Sequence, residues 1–208
     1  MSVAVHPAVA DQTEARHIFR SALKLGAFEC LAVLVIGLVS KRLDGVIEVA
    51  LLGVLVILSV LVVTFLPGIW TRARSIEGIS GAAGIGLAAT VVFLIVDVAF
   101  FQPFGLYTHR WLDLGGGSNW WYHPIWWMVG TYLPWLGAWM LANQSVRGGA
   151  ASAPAAALSL LGFTVLVMVA GVLLRFPGAG WNVGTFGVAL LPGLALATVV
   201  SVLGARRK

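Results

Sequence analysis

The chain has 208 residues, of which 60% are hydrophobic and only 10% charged, with a formal net charge of +5. An ordinary soluble domain carries about 25% charged residues, so this chain has too little charge to cover a globular surface in water. The composition excludes a soluble enzyme, a disordered regulator and a disulfide-stapled secreted domain. It predicts a polytopic membrane protein. The single cysteine, Cys30, also excludes an internal disulfide and a CxxC redox or zinc motif.

The first 24 residues are polar or mixed and are predicted to form a cytoplasmic or interfacial segment. Asp11 and Glu14 have the spacing of a capping box, which predicts a helix start at this point. A helical extension through residues 18–22 would then lead into the first apolar run. Glu29, inside that run, could pair with Lys24. Glu48, at the start of the second run, is expected at the membrane interface.

Six apolar runs follow, each close to the roughly 20 residues that cross a bilayer as a helix. They are continuously apolar, without the alternation typical of barrel strands, so the predicted fold is an all-α bundle of six transmembrane helices. A basic tail, residues 205–208, follows the last run. The predicted spans are residues 25–40, 46–66, 79–101, 124–143, 155–174 and 182–204.

The lysines and arginines predict the orientation of the bundle. Six spans put both termini on one side, together with the loops after the second and fourth spans. That side holds nine of the 13 basic residues, which favours both termini in the cytoplasm and a location in the cytoplasmic (inner) membrane. The positive charge is then explained by topology and by anionic lipid headgroups, so we expect membrane lipid and no nucleic acid as a partner. The residues on this side are Arg16, Arg20, Lys24, Arg72, Arg74, Arg147, Arg206, Arg207 and Lys208.

Small residues four apart mark two helix faces that could approach another helix closely. They predict contacts within the bundle, with a protein partner or with a second copy. Pro134 and Pro192 lie inside predicted spans and should kink them. A broken helix of this kind can build a transporter site, or it can simply be tolerated in a packed bundle. The two faces are Ser80, Gly84 and Ala88 in the third span, and Ala189, Gly193, Ala197 and Ser201 in the sixth.

Asp97 is the most expensive residue of the chain to place in a membrane. It lies in an otherwise apolar stretch, where an acid near a helix centre costs about 2.5–3.5 kcal/mol on insertion scales. It must therefore face the bundle interior, carry a proton or pair with a cation such as Arg42 or Arg110. It is either a proton- or cation-handling site or ligand contact, or a structural hydrogen bond that holds the bundle in register.

The predicted outer segment, residues 104–127, contains five of the nine tryptophans, and two more follow in the fourth span. Trp and Tyr favour the headgroup region, so an aromatic belt explains part of this cluster. The deeper tryptophans could line a site for a lipid, a quinone or another flat apolar ligand, or form a helix or subunit interface. The candidate binding residues are Trp120, Trp121, Trp126, Trp127, Trp135 and Trp139.

The same outer segment holds a possible metal-binding set, formed by His109, Asp113 and His123. Two imidazoles and one carboxylate suit iron, copper or zinc. Their spacing matches no standard motif. The histidines could equally be in contact with water at the membrane interface and bind no metal.

Three functions remain open on the sequence. The leading hypothesis is a non-enzymatic accessory or structural subunit whose tryptophan-rich face binds a partner protein, a lipid or an apolar cofactor of unknown identity. The first alternative is a small proton- or cation-coupled transporter or channel that uses Asp97. The second is a membrane metalloenzyme with the His109, Asp113 and His123 set. Enzymatic activity is not favoured, because catalytic groups at membrane depth are scarce.

Overall fold

The computed structural model describes residues 11–108, 122–146 and 151–205. Within these ranges the regular secondary structure is helical, and a single π-helical turn, Asp97–Phe101, continues the third α-helix. In chain order the helices are α1 (Ala15–Arg42), α2 (Gly45–Trp70), α3 (Ile76–Val96), α4 (Tyr122–Val146), α5 (Ala153–Leu173) and α6 (Val183–Ala205).

Each predicted apolar run coincides with one of these helices to within a residue or is contained in it, so the predicted all-helical fold is confirmed. Five helices are long and apolar enough to cross a membrane, namely α1, α2, α3 with its π turn, α5 and α6. The chain is therefore a multi-pass membrane protein. The 25-residue α4 is not among the five because its sequence includes Trp, Tyr, Pro and amide side chains.

The N-terminal segment is tied to the turn between α2 and α3. As predicted, α1 begins upstream of the apolar run, at Ala15, but the capping-box prediction is wrong. Glu14 is the N-cap and makes no side-chain capping bond. Asp11 instead accepts hydrogen bonds from the backbone N–H groups of Arg74, Ser75 and Gly78, at 3.0, 3.0 and 3.1 Å. It therefore acts as an additional cap of α3, beside the N-cap Ser75, whose side chain accepts from the N–H of Glu77 at 3.2 Å. The first N–H groups of a helix have no partner inside it.

The bundle is organised around α1 packed on α3, α5 packed on α6, and α4 in contact with α2, α3, α5 and α6. The core at these contacts is built from fully buried aliphatic side chains. Leu25, Ile85 and Leu133 come from α1, α3 and α4, and Leu160 and Leu194 from α5 and α6. Since a side chain on every one of these helices is removed from lipid, α4 is an integral part of the bundle.

Glycines let α4 cross its neighbours at close range. A Cβ on Gly137 would lie 2.0 Å from the carbonyl oxygen of Thr64 on α2, and one on Gly130 would lie 1.9 Å from Thr90 Oγ1 on α3. Neither distance is compatible with a side chain, so both positions require glycine. Close backbone approach at small residues is how helices associate where hydrophobicity supplies no driving force between them.

The two predicted small-residue faces have different surroundings. The α6 face lies against other helices of the chain: a Cβ on Gly193 would be 2.8 Å from Thr164 of α5, and Ala197 is buried. The α3 face is turned outward: Ser80 is exposed, and a Cβ on Gly84 would meet no atom within 4 Å. The prediction of a close helix contact within the chain is confirmed for α6, while α3 packs through other residues.

Both predicted internal prolines do lie inside helices, Pro134 in α4 and Pro192 in α6. Because Pro134 has no N–H, the carbonyl of Gly130 loses its usual helical partner. Gly86 of α3 lies directly against this carbonyl, since a Cβ built there would be 2.1 Å from Gly130 O. The proline thus lies at a close approach of α3 and α4.

Candidate functional site

Asp97 opens the π-helical turn at the end of α3 and is fully buried, with 0% of its surface exposed. The wider turn is closed by the backbone N–H of Gln102, which donates to the carbonyl of Asp97 at 2.9 Å, five residues back. Single π turns inside α-helices occur frequently at functional sites. The structure therefore places the most costly acid of the sequence at a backbone irregularity inside the bundle.

Two neutral side chains hold the carboxylate of Asp97. The amide of Gln102 donates to Oδ2 at 2.6 Å, and the hydroxyl of Tyr107 donates to Oδ1. Each of the two carboxylate oxygens thus accepts a hydrogen bond from a described side chain. Asp97 thus faces the bundle interior, one of the three arrangements that the sequence leaves open. Gln102 and Tyr107 were not predicted, because neighbours on an α-helix are three or four residues apart and only the π turn brings Gln102 to Asp97. Arg110 lies outside the described residues.

The end of α1 holds the segment that carries these two donors. Leu106 is buried against α1, since a Cβ on Gly37 would be 2.6 Å from Leu106 Cγ. The ammonium of Lys41 donates to the carbonyl of Gly105, which adopts a positive φ of 60°. These contacts position residues 102–107 beside Asp97.

Glu29 is a second buried acid, on the side of α1 that packs against α3. Only 4% of its surface is exposed, and its Oε2 atom has no hydrogen-bond partner within the described part of the chain. Lys24 is exposed, and its expected pairing with Glu29 is wrong. Glu48, expected at the interface, is also buried, with 4% exposed.

The tryptophans of α4 differ in their surroundings. Trp126 packs against Phe93 of α3 in a tilted arrangement, with ring centroids 4.2 Å apart and an interplanar angle of 41°. Trp139 packs against the core, while Trp127 and Trp135 remain 41% and 40% exposed. The rings of Trp135 and Trp139 are 5.8 Å apart. The structure therefore separates two inward rings from two outward ones; Trp120 and Trp121 lie outside the described residues.

A shallow groove of about 430 Å³ runs between α3 and α4 beside the outward tryptophans. Its lining is small on the α3 side and aromatic on the α4 side. The hydroxyl of Thr131 donates to the carbonyl of Trp127 at 2.7 Å, and most of the remaining lining is carbon. Such a surface suits an apolar occupant. The residues that line this groove are Ser80, Ala83, Thr131, Tyr132 and Trp135.

The predicted metal set is only partly within the described structure. His109 and Asp113 lie outside the described residues, and His123 belongs to the first turn of α4, where its side chain is not described. Elsewhere in the described ranges, no group of three or more His, Cys, Asp or Glu residues could hold a metal ion. The metal hypothesis therefore stays a prediction.

No protein-family model, no curated protein and no solved structure matches the chain. Among the described residues, the candidate features are the buried acids Asp97 and Glu29 and the groove between α3 and α4.

Proposed function

We propose that the chain is a non-enzymatic accessory subunit of the cytoplasmic membrane whose α3–α4 groove binds a transmembrane helix of a partner protein. One observation carries the proposal: the groove combines a wall of small residues with the 40% exposed ring of Trp135, and it is open on the outside of the bundle.

The small-residue face of α3 supports a helix as the occupant. Ser80, Gly84 and Ala88 repeat every four residues, and nothing in the described chain lies within 4 Å of a Cβ on Gly84. The α6 face of the same spacing is used for helix contact, with Gly193 against Thr164. Since small faces of this kind associate by close backbone packing in lipid, the open face on α3 has the geometry for one more helix.

The aromatic wall supplies the anchor for such a helix. Trp135 is outward-facing, and the ring of Trp139 braces it from the core side at 5.8 Å. Tryptophan is enriched among residues that dominate binding energy at interfaces, because one rigid ring covers a large apolar area. A partner helix that packs on Gly84 would bury this ring.

A substitution on the small-residue face of α3, beside the groove, tests the proposal. Gly84→Leu adds a side chain where the described chain has open space, so the fold should be retained while the partner is displaced. Gly162→Leu on α5 is the matched control, since a Cβ there also meets nothing within 4 Å. The readout is native mass spectrometry of the tagged protein purified in mild detergent from its own membrane.

We expect a stoichiometric protein partner with wild type and with Gly162→Leu, and its loss with Gly84→Leu. A lone monomer from wild type would overturn the proposal, and so would a partner retained by Gly84→Leu. Recovery of only lipid, or only a second copy of the chain, would assign the groove to that occupant and reject a different protein partner.

A second candidate function, proton- or cation-coupled transport, is favoured by the surroundings of Asp97. This acid is fully buried at a π turn, and Gln102 and Tyr107 orient both of its oxygens. Asp97→Asn should abolish the pH-dependent flux of protons or cations into proteoliposomes. Glu77→Gln, at an exposed carboxylate in the first turn of α3, is the control and should leave the flux intact. Unchanged flux in Asp97→Asn would remove Asp97 from any transport mechanism.

A further inference from the structure

We propose that the loop between α5 and α6 binds one anionic phospholipid, whose phosphate contacts Arg175 and whose acyl chains contact the apolar side chains beside it. The loop joins two helices that are long and apolar enough to cross a membrane, so it lies at a membrane surface. This site is separate from the α3–α4 groove, and its test does not depend on the proposed function.

The backbone conformation of Arg175 is the first observation. It lies just beyond the C-cap of α5 with a φ of 55°, in the left-handed region where helices usually place glycine. The backbone N–H groups of Arg175 and Phe176 donate to the carbonyls of Val172 and Gly171, at 3.1 and 2.9 Å, which is the bonding pattern of a Schellman motif. An arginine held at this position against its backbone preference indicates that its side chain has a function.

The end of α2 has the same motif and shows what is different at α5. Arg72 has a φ of 50°, and the N–H groups of Arg72 and Ala73 donate to the carbonyls of Ile69 and Gly68 in the same pattern. The apolar residue after such a motif usually packs back on its helix, and Ala73 is accordingly buried, with 4% of its surface exposed. Phe176, at the same position after α5, is 69% exposed. The loop after α5 therefore exposes an aromatic ring together with the arginine.

This ring belongs to a group of exposed apolar side chains on both sides of Arg175 in the chain. Aromatic side chains favour the headgroup level of a bilayer, and leucines favour its hydrocarbon. The group therefore suits the boundary between lipid headgroups and acyl chains, where a long arginine side chain can also reach the phosphates. Its members, each 67 to 81% exposed, are Leu173, Leu174, Phe176 and Trp181.

Hydrogen bonds hold the loop in one conformation. The N–H of Ala179 donates to the carbonyl of Phe176 at 2.9 Å, and Gly178 has a φ of 79°. With Pro177 before this glycine, the segment has the sequence and geometry of a type II turn. The hydroxyl of Thr185 in α6 also accepts a backbone N–H of the loop at 3.0 Å. Since the loop is already ordered, binding a lipid costs little further conformational entropy.

The charge distribution favours an anion as the partner of Arg175. Asp113 is the last acidic residue of the sequence, and five basic residues follow it. Because α5 packs mainly on α6, and neither helix carries an acidic residue, the helices around the loop offer no carboxylate to the exposed guanidinium. A guanidinium can donate two parallel hydrogen bonds to phosphate oxygens. An anionic phospholipid supplies this phosphate at the membrane surface without a cationic group that would compete with the arginine.

The experiment measures lipid binding to the intact chain in detergent by native mass spectrometry. The anionic lipid is dioleoylphosphatidylglycerol, and the comparison lipid is the zwitterionic dioleoylphosphatidylcholine, which has the same phosphate and acyl chains. Arg175→Gly removes the guanidinium and places the residue that this backbone conformation prefers, so the fold should be retained. Arg72→Gly is the matched control, because it makes the same change in the same motif beside a buried alanine.

We expect wild type and Arg72→Gly to bind one phosphatidylglycerol in preference to phosphatidylcholine. Arg175→Gly should bind it at least about tenfold more weakly, the fold-change for the loss of one hydrogen bond to a charged group. The midpoint of thermal unfolding should not fall in either variant, since glycine suits the left-handed backbone at both positions.

Equal affinity of wild type for the two lipids would overturn the proposal, and this comparison needs no variant. Binding retained by Arg175→Gly, or lost equally in Arg72→Gly, would show that the lipid phosphate does not bind at this loop. Displacement of the lipid by an equal concentration of soluble glycerol 3-phosphate would assign the site to a free phosphate and reject the lipid. A second copy or another protein that wild type retains and Arg175→Gly releases would make the loop a protein interface and also reject the lipid.

Discussion

At the residue scale, Asp11 shows how a polar side chain outside the apolar runs contributes to the bundle. Its carboxylate accepts three backbone N–H groups around the start of α3, and the hydroxyl of Ser75 also donates to it. The N-terminus of a helix carries partial positive charge and unpaired donors, so a carboxylate is favourable there. One side chain thereby joins the segment before α1 to α3.

Asp11→Ala should lower the free energy of unfolding by about 1–2 kcal/mol, the typical cost of removing an N-terminal helix cap. The matched control is Glu14→Ala, because Glu14 occupies the N-cap of α1 without a side-chain capping bond. Equilibrium unfolding in detergent measures both. Equal losses in the two variants would show that Asp11 does not act as a cap of α3.

The buried acids show what the sequence can and cannot reveal at single residues. Asp97 was identified because an acid surrounded by apolar residues is costly wherever the helix lies. Glu29 was expected to pair with Lys24, since the two are close along the chain, but Lys24 is exposed. The partners of Asp11 lie 63 to 67 residues away in the chain. Such contacts depend on which helices meet, and local spacing carries no information about that.

At the scale of the helices, the apolar runs predicted every helix because roughly 20 continuous apolar residues suit a helix in lipid. The helices extend beyond the runs at polar ends, where hydropathy no longer marks a boundary. The α6 small-residue face was predicted to contact another helix and does. The close contacts of Thr64 with Gly137 and Thr90 with Gly130 were not predicted, because they require the order of helices in the bundle.

Gly137→Ala should destabilise the protein by about 1–3 kcal/mol, the usual cost of overpacking a filled core. The new methyl group would lie 2.0 Å from the carbonyl oxygen of Thr64, a backbone atom that cannot move aside without shifting α2. Gly84→Ala is the control, because its methyl group enters open space on α3. Unfolding free energies in detergent compare the two, and similar stability would mean that α2 and α4 are not held at this crossing.

At the scale of the whole molecule, the described structure has α4 in contact with four helices, α2, α3, α5 and α6, although its hydropathy is the weakest signal of a span. Leu133 and Ala138 are almost completely buried, and 25 residues of α-helix extend about 37 Å, more than the roughly 30 Å of hydrocarbon. We therefore propose that α4 also crosses the membrane. Six crossings put both termini on one side, and the distribution of Lys and Arg favours the cytoplasm.

The loop between α5 and α6 distinguishes six crossings from five, since it lies outside the cell only if α4 crosses. Pro177 is exposed in this loop, so Pro177→Cys in a Cys30→Ser background should react with a membrane-impermeant maleimide added to intact cells. Leu43→Cys, between α1 and α2, should react in the same way, whereas Arg74→Cys, between α2 and α3, should react only after the cells are opened. If Pro177→Cys behaves like Arg74→Cys while Leu43→Cys still reacts in intact cells, α4 does not cross. If both reference positions behave in reverse, the termini lie outside and the charge bias has been overridden by packing.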